Sequence, residues 1–173
     1  MPESEVLVRA AETAGMYPLG HLGVSLCGFA PVAAWLTAAG EPELAALGLS
    51  LAAAVSSLPD ADEHLPIPHR GPTHTVWFVA VTAAVAGIGG WAVGALVGEP
   101  TALAALFSTA TGISLTAHLL ADSITPMGIS PFAPLRSANH SFELVYAKDR
   151  RANLALLSLG VVSVLLTQAL ILL

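Results

Sequence analysis

Along this chain, long apolar runs alternate with short polar breaks. Uncharged windows cover residues 16–39, 44–58, 75–98, 101–121 and 152–173. A bilayer-spanning helix needs about 20 such residues, so the pattern predicts an all-α membrane protein with about five transmembrane helices in one bundle. The second window is the short one. Its 15 or so residues reach only about 22 Å as a helix. That shortfall predicts either a tilted helix in a locally thinned bilayer or an end that stops below the headgroups, with Asp60 sunk into a recess.

The breaks read "GEPEL", then residues 59–74, then "GEP", then a long segment from Asp122 to Arg151. Pro42 and Pro100 each follow a glycine and a glutamate, where proline suits a first helical turn. The opening "MPESEVLVRAAETAG" is acidic and lacks the basic n-region of a signal peptide. It reads as a short lead-in. No internal repeat is evident, so residues 1–173 read as a single multi-pass domain.

Composition strengthens the membrane reading. Residues are 55% hydrophobic and only 10% charged, against about 25% charged in soluble domains. The formal net charge is -6 and no basic stripe exists, so nucleic acid is not an expected partner. Cys27 is the sole cysteine, which leaves no internal disulfide and no cysteine-based zinc motif.

Charge placement predicts orientation. With five spans, the N-terminus, the second loop and the fourth loop share one side. Those segments hold Arg9, Arg70, Arg136, Lys148, Arg150 and Arg151, which is every basic residue. The other side holds Glu41, Glu43 and Glu99. By the positive-inside rule the N-terminus is cytoplasmic and the C-terminus outside.

The chemistry concentrates in "SSLPDADEHLPIPHRGPTHTVWF", residues 56–78. Asp60, Asp62, Glu63, His64, His69, Arg70 and His74 all fall at the junction of spans two and three. His21 lies near the start of span one, and His118 and Asp122 at the end of span four. Three separate segments therefore converge on one membrane face. "HLLAD" puts His118 and Asp122 four apart, on one side of a helix. Such a pair can bind one metal ion, though by itself it reads first as a hydrogen-bonded pair at a helix end. "PDAD" offers two carboxylates after a turn-setting proline. "HRGPTH" places a tight turn between two histidines, with Thr73 expected to cap the following helix. His140 reads as a loop residue. A mixed histidine and aspartate set suits zinc first, and manganese or iron also. The number of candidate ligands allows one ion or two.

The motifs resemble those of the YdjM-like family, described as LexA-regulated, inner-membrane-associated, metal-dependent hydrolases. The shared pattern is a GH in the first helix, a PDxD segment, an HRGxTH(S/T) segment and an HxxxDxxTPxG segment. Here these are Gly20-His21, Pro59 to Asp62, His69 to Thr75, and His118 to Gly128. The likeness covers nearly the whole chain. One departure stands out: Glu63 follows the second aspartate, where family members often have histidine, and His64 comes next.

The resemblance implies a multi-pass helical protein with metal-dependent hydrolase activity. The expected inner ligands are Asp60, His74, His118 and Asp122, followed by His21, Asp62 and His69. Arg70 is expected to clamp an anion, and Asp62 or His69, where not ligating, to serve as base. The depth of the site points to a phosphoester, such as a lipid headgroup, so membrane lipid and a small-molecule or lipid substrate are the expected partners. A metal-ion transporter is one alternative, but transporters place ionisable groups near the bilayer midplane and spans three and five have none. A membrane module holding a structural or regulatory metal is the other.

Overall fold

A computed structural model describes residues 18–172. The acidic lead-in, Arg9 and the first two residues of the expected first span lie outside the described residues. The helices are α1 (Pro18–Ala38), α2 (Pro42–Val55), α3 (Val76–Val97), α4 (Pro100–Ser123) and α5 (Arg150–Leu172). Two short 3-10 turns, Pro59–His64 and Pro72–His74, lie between α2 and α3. Among the described residues there is no strand, only an isolated antiparallel bridge between Ile129 and His140. Five stretches are long and apolar enough to cross a membrane.

Local chemistry explains the boundaries. Pro42 and Pro100 open their helices, where a missing N–H costs nothing. Thr75 caps α3 by accepting from the Phe78 amide at 3.2 Å. This corrects the expectation for Thr73: α3 begins at Val76, and His74 lies ahead of it in a 3-10 turn. Gly98, at φ 85°, ends α3 in the left-handed region that glycine enters at no steric cost.

Polarity sorts the helices into inner and outer. The inner helices α1 and α4 carry His21, Ser25, Thr111, Ser114, His118 and Asp122, all buried. Hydrocarbon offers such groups no partners, so they turn inward. The outer helices α3 and α5 have few polar side chains and bury little: α3 packs on α4, α5 on α1, and α2 contacts both inner helices. The apolar core of Phe29, Ala33, Leu36, Ala45, Ala52, Leu103, Leu106 and Ala110 joins α1, α2 and α4. At the α1–α5 crossing, a Cβ on Gly23 or Gly160 would run into the opposite backbone. Small residues permit that close approach.

The short α2 is the element that makes the site. It has 14 residues, about 21 Å of helix. Its last turn tightens, with the Ser56 amide bonding Ala53 O instead of Ala52 O. The freed Ala52 carbonyl accepts from the Ser114 hydroxyl at 2.7 Å, and Ser25 Oγ lies 2.9 Å from Ser114 Oγ. The two inner helices and α2 are thereby tied together beneath the site. The chain then continues through the Pro59–His64 turn, with Asp62 buried and Asp60 nearly so.

The connection from α4 to α5 folds back over this same end. Phe142 N bonds Ser123 O, Leu144 N bonds Ile124 O, and Pro131 O accepts from Val76 N. Arg70, Arg136 and Lys148 lie in connections at this end, and Arg150 and Arg151 in the first turn of α5 beside it. Glu41 and Glu99 lie in the connections at the other end, with Glu43 in the first turn of α2.

Candidate metal centre

Four segments deliver side chains to one point. The first turns of α1 bring His21. The Pro59–His64 turn brings Asp60. The Pro72–His74 turn brings His74, and the last turns of α4 bring His118 and Asp122 one above the other, as their spacing requires.

The contacts at the centre are close. His74 Nε2 lies 3.3 Å from His118 Nε2, 3.1 Å from Asp122 Oδ2 and 3.5 Å from Asp60 Oδ1. His118 Nε2 lies 3.3 Å from Asp122 Oδ2 and 3.4 Å from Asp60 Oδ1. These are five of the six edges of a tetrahedron. Ligand atoms about 2.0–2.2 Å from a tetrahedral zinc ion stand roughly 3.3–3.6 Å from one another. The five spacings, 3.1–3.5 Å, lie in or just below that range.

The outer hydrogen bonds set the tautomers. His118 Nδ1 lies 2.8 Å from the Ser56 carbonyl, which can only accept, so Nδ1 carries the hydrogen. His74 Nδ1 faces Thr73 Oγ1 at 3.0 Å and Asp62 Oδ2 at 3.3 Å. Thr73 gives its own hydrogen to Asp62 at 2.7 Å, so it accepts from His74. In the neutral imidazoles both Nε2 atoms are therefore bare lone pairs aimed at the centre. Asp60 Oδ1 and Asp122 Oδ2 find no hydrogen-bond donor. A cage of acceptors alone is stable only around positive charge. Burial disfavours a charged His74, but the carboxylates of Asp122 and Asp60 beside its Nε2 outweigh that and raise its pKa.

His21 forms a second wall. Its ring stacks on His118, with centroids 3.7 Å apart and planes 16° apart. Its Nε2 lies 3.5 Å from Asp60 Oδ2 and 3.8 Å from Asp122 Oδ1, the carboxylate oxygens turned away from the tetrahedron. Neither ring nitrogen has a hydrogen-bond partner. Ligand atoms of His21, Asp60, His118 and Asp122 all lie within 4.8 Å of one another. His21, His74, His118 and Asp122 are fully buried, and only Asp60 reaches solvent, at 16%.

Asp62, His69 and Arg70 stand outside this cage. Asp62 accepts from His69 Nδ1 at 2.8 Å, from the Arg70 amide at 3.0 Å and from Thr73. Its oxygens are filled from behind His74, so it orients that ring as outer carboxylates orient ligating histidines. His69 touches Asp62 and comes within 3.8 Å of the half-exposed Glu63. Arg70, in place of holding an external anion through its Nη atoms, holds the protein's own oxygens. Nη2 bonds Asp122 Oδ1 at 2.7 Å, and Nη1 bonds Thr125 Oγ1 at 2.7 Å and Gly128 O at 3.1 Å. The Arg70 backbone sits at φ 56°, held by its amide bond to Asp62.

Ser56 and Thr125 are positioning groups that spacing alone did not single out. Thr125 lies in the "DSITPMG" stretch, so motif likeness was the available signal. Ser56 acts through its carbonyl, which no side-chain pattern encodes. His64 is exposed, and His140 is exposed, pairing its backbone with Ile129.

The family model described as YdjM inner membrane protein matches residues 16–172. The chain belongs to that family. Comparison with curated proteins and with solved structures returned no match.

Proposed function

We propose that this member of the YdjM inner membrane protein family is a membrane-embedded, metal-dependent hydrolase that acts on a phosphoester. The observation that carries this reading is the acceptor-only cage of His74, His118, Asp60 and Asp122, with an edge open to solvent at Asp60. Zinc suits the donor set best, with manganese or iron as substitutes. A divalent ion held there supplies Lewis-acid polarisation of a phosphoryl oxygen and lowers the pKa of water.

The chain's own residues do the rest. Ser56 O and the Thr73–Asp62 pair fix the imidazole planes of His118 and His74. Arg70 and Thr125 hold Asp122 in place. His21, with no hydrogen-bond partner and its Nε2 beside Asp60, is the group free to take up or release a proton at the open edge. With Asp60, His118 and Asp122 it also offers ligand atoms within 4.8 Å of one another, a set that could hold an ion on this side. The basic residues at the site's end support a cytoplasmic site, with the N-terminus inside and the C-terminus outside.

One observation favours a second reading, a structural metal. All four corners of the tetrahedron are protein atoms, and structural zinc sites are closed in that way. Cobalt substitution separates the two. Under the hydrolase reading the visible spectrum of the cobalt-loaded protein shifts on addition of phosphate, and metal-dependent turnover appears in a phosphoester screen. An unchanged spectrum and no turnover with any metal would sink the hydrolase reading and leave the structural one.

A further inference from the structure

Beside the cage, between the Arg70–Pro72 turn and the 130–137 stretch, lies a groove of about 730 Å³. Its lining has two chemical sides. One is apolar and includes Trp77, Val81 and Pro134; the other includes Arg70, Ser130 and Ser137. Trp77 and Val81 are largely exposed, and Val85 and Ile88 continue the exposed face of α3. These positions are spaced by four, four and three, so they form one stripe down a helix. The groove therefore opens onto a hydrocarbon track that runs from the membrane boundary toward the bilayer interior. An indole at that boundary is the usual interfacial anchor.

The polar side carries donors. Arg70 lines the groove from beneath, its side chain 3% exposed and both Nη atoms bonded within the protein. Ser130 and Ser137 bring hydroxyls to it, and Ser137 is exposed. Arg136, next to Ser137, is exposed. No acidic residue lines the groove. A cavity of about 620 Å³ at the opposite end of the bundle makes the contrast, because its lining includes Glu41, Glu43 and Glu99, which repel anionic headgroups.

We propose that the groove seats one phospholipid with an anionic headgroup. The phosphate lies against the hydroxyls of Ser130 and Ser137 beside Arg136, and an acyl chain follows the stripe of Trp77, Val81, Val85 and Ile88. This is a binding site in its own right and goes beyond the hydrolase reading. Arg70 joins the two, since its Nη2 holds Asp122.

The test uses the full chain in vesicles and needs no turnover. Two single-tryptophan proteins are compared, Trp35→Phe/Trp91→Phe, which retains Trp77, and Trp35→Phe/Trp77→Phe, which retains Trp91. Each is titrated with brominated phosphatidylglycerol or brominated phosphatidylcholine, and fluorescence quenching is read. Trp77 is expected to prefer phosphatidylglycerol by about fivefold, the scale set by one arginine near an anionic headgroup, while Trp91 shows a ratio near one. Ser137→Phe fills the groove and is expected to abolish the preference at Trp77 without changing bound metal. Equal quenching of Trp77 by both lipids, or a preference that survives Ser137→Phe, overturns the proposal.

Discussion

His74 Nε2 faces His118 Nε2 across 3.3 Å, and the outer nitrogen of each ring donates to a protein oxygen. Two bare lone pairs do not approach so closely without positive charge between them. A metal ion supplies it, or a proton does. The expected outcomes below follow from that relationship and from the packing that enforces it.

Purified protein should contain divalent metal, and Asp60→Ala should lower it by more than tenfold. Asp60 is the ligand of choice because it is partly exposed, so its loss leaves no buried charge unpaired. Asp122→Ala should lose metal and also destabilise the fold by about 3–5 kcal/mol, because Arg70 is left buried without its carboxylate. Elemental analysis and thermal unfolding read the two effects separately. Metal content unchanged by Asp60→Ala counts against the cage.

Asp62→Asn should fold normally but bind metal about 10–100-fold more weakly, the usual effect of losing a carboxylate that orients a ligating histidine. Competition with a chromophoric chelator measures it. A variant that loses all metal would instead make Asp62 a direct ligand.

Stabilisation by metal should grow with pH. In the metal-free protein His74 has a raised pKa. Its protonated form therefore contributes stability that is full below the unfolded-state pKa and is lost as pH rises through the raised value. A metal ion must displace that proton, so its apparent affinity falls as pH drops below the raised pKa. Melting curves with and without zinc, from acid to neutral pH, should diverge as pH increases. A zinc effect that is flat across this window contradicts the assignment.

Gly160→Ala should destabilise the bundle by about 1–3 kcal/mol, as overpacking does, because the added Cβ meets the α1 backbone at Gly23. Gly89→Ala is the control, since nothing lies within 4 Å of a Cβ there. Reversible unfolding in mixed detergent compares them. Equal stability of both variants would show that the crossing opens without cost.

Orientation is testable with single cysteines in a Cys27→Ala background. His64→Cys should react with a membrane-impermeant maleimide only after the cells are permeabilised, and Glu99→Cys should react in intact cells. The opposite pattern inverts the topology.

Much of the architecture was legible in the chain because each span needs a long uncharged run, and charge stops it. Helix ends at Pro42, Gly98 and Pro100 were readable for the same local reason. Depth alone placed His21, Asp60, His74, His118 and Asp122 at one face, since each lies at the end of a span or in the connection beside it. The four-residue spacing of His118 and Asp122 already put them on one side of a helix.

Tertiary structure decided which of these groups look inward. Asp60 and Asp62 are two residues apart in one 3-10 turn, yet Asp60 faces the cage and Asp62 backs His74. Arg70 was readable as a cation near the site but not as the brace of Asp122, because its partners Thr125 and Gly128 are more than fifty residues away. Ser56 entered through a carbonyl, which has no signature in sequence. Hydropathy is a property of each residue and survives in the one-dimensional record. The direction of a lone pair depends on packing between helices that only the folded chain brings together.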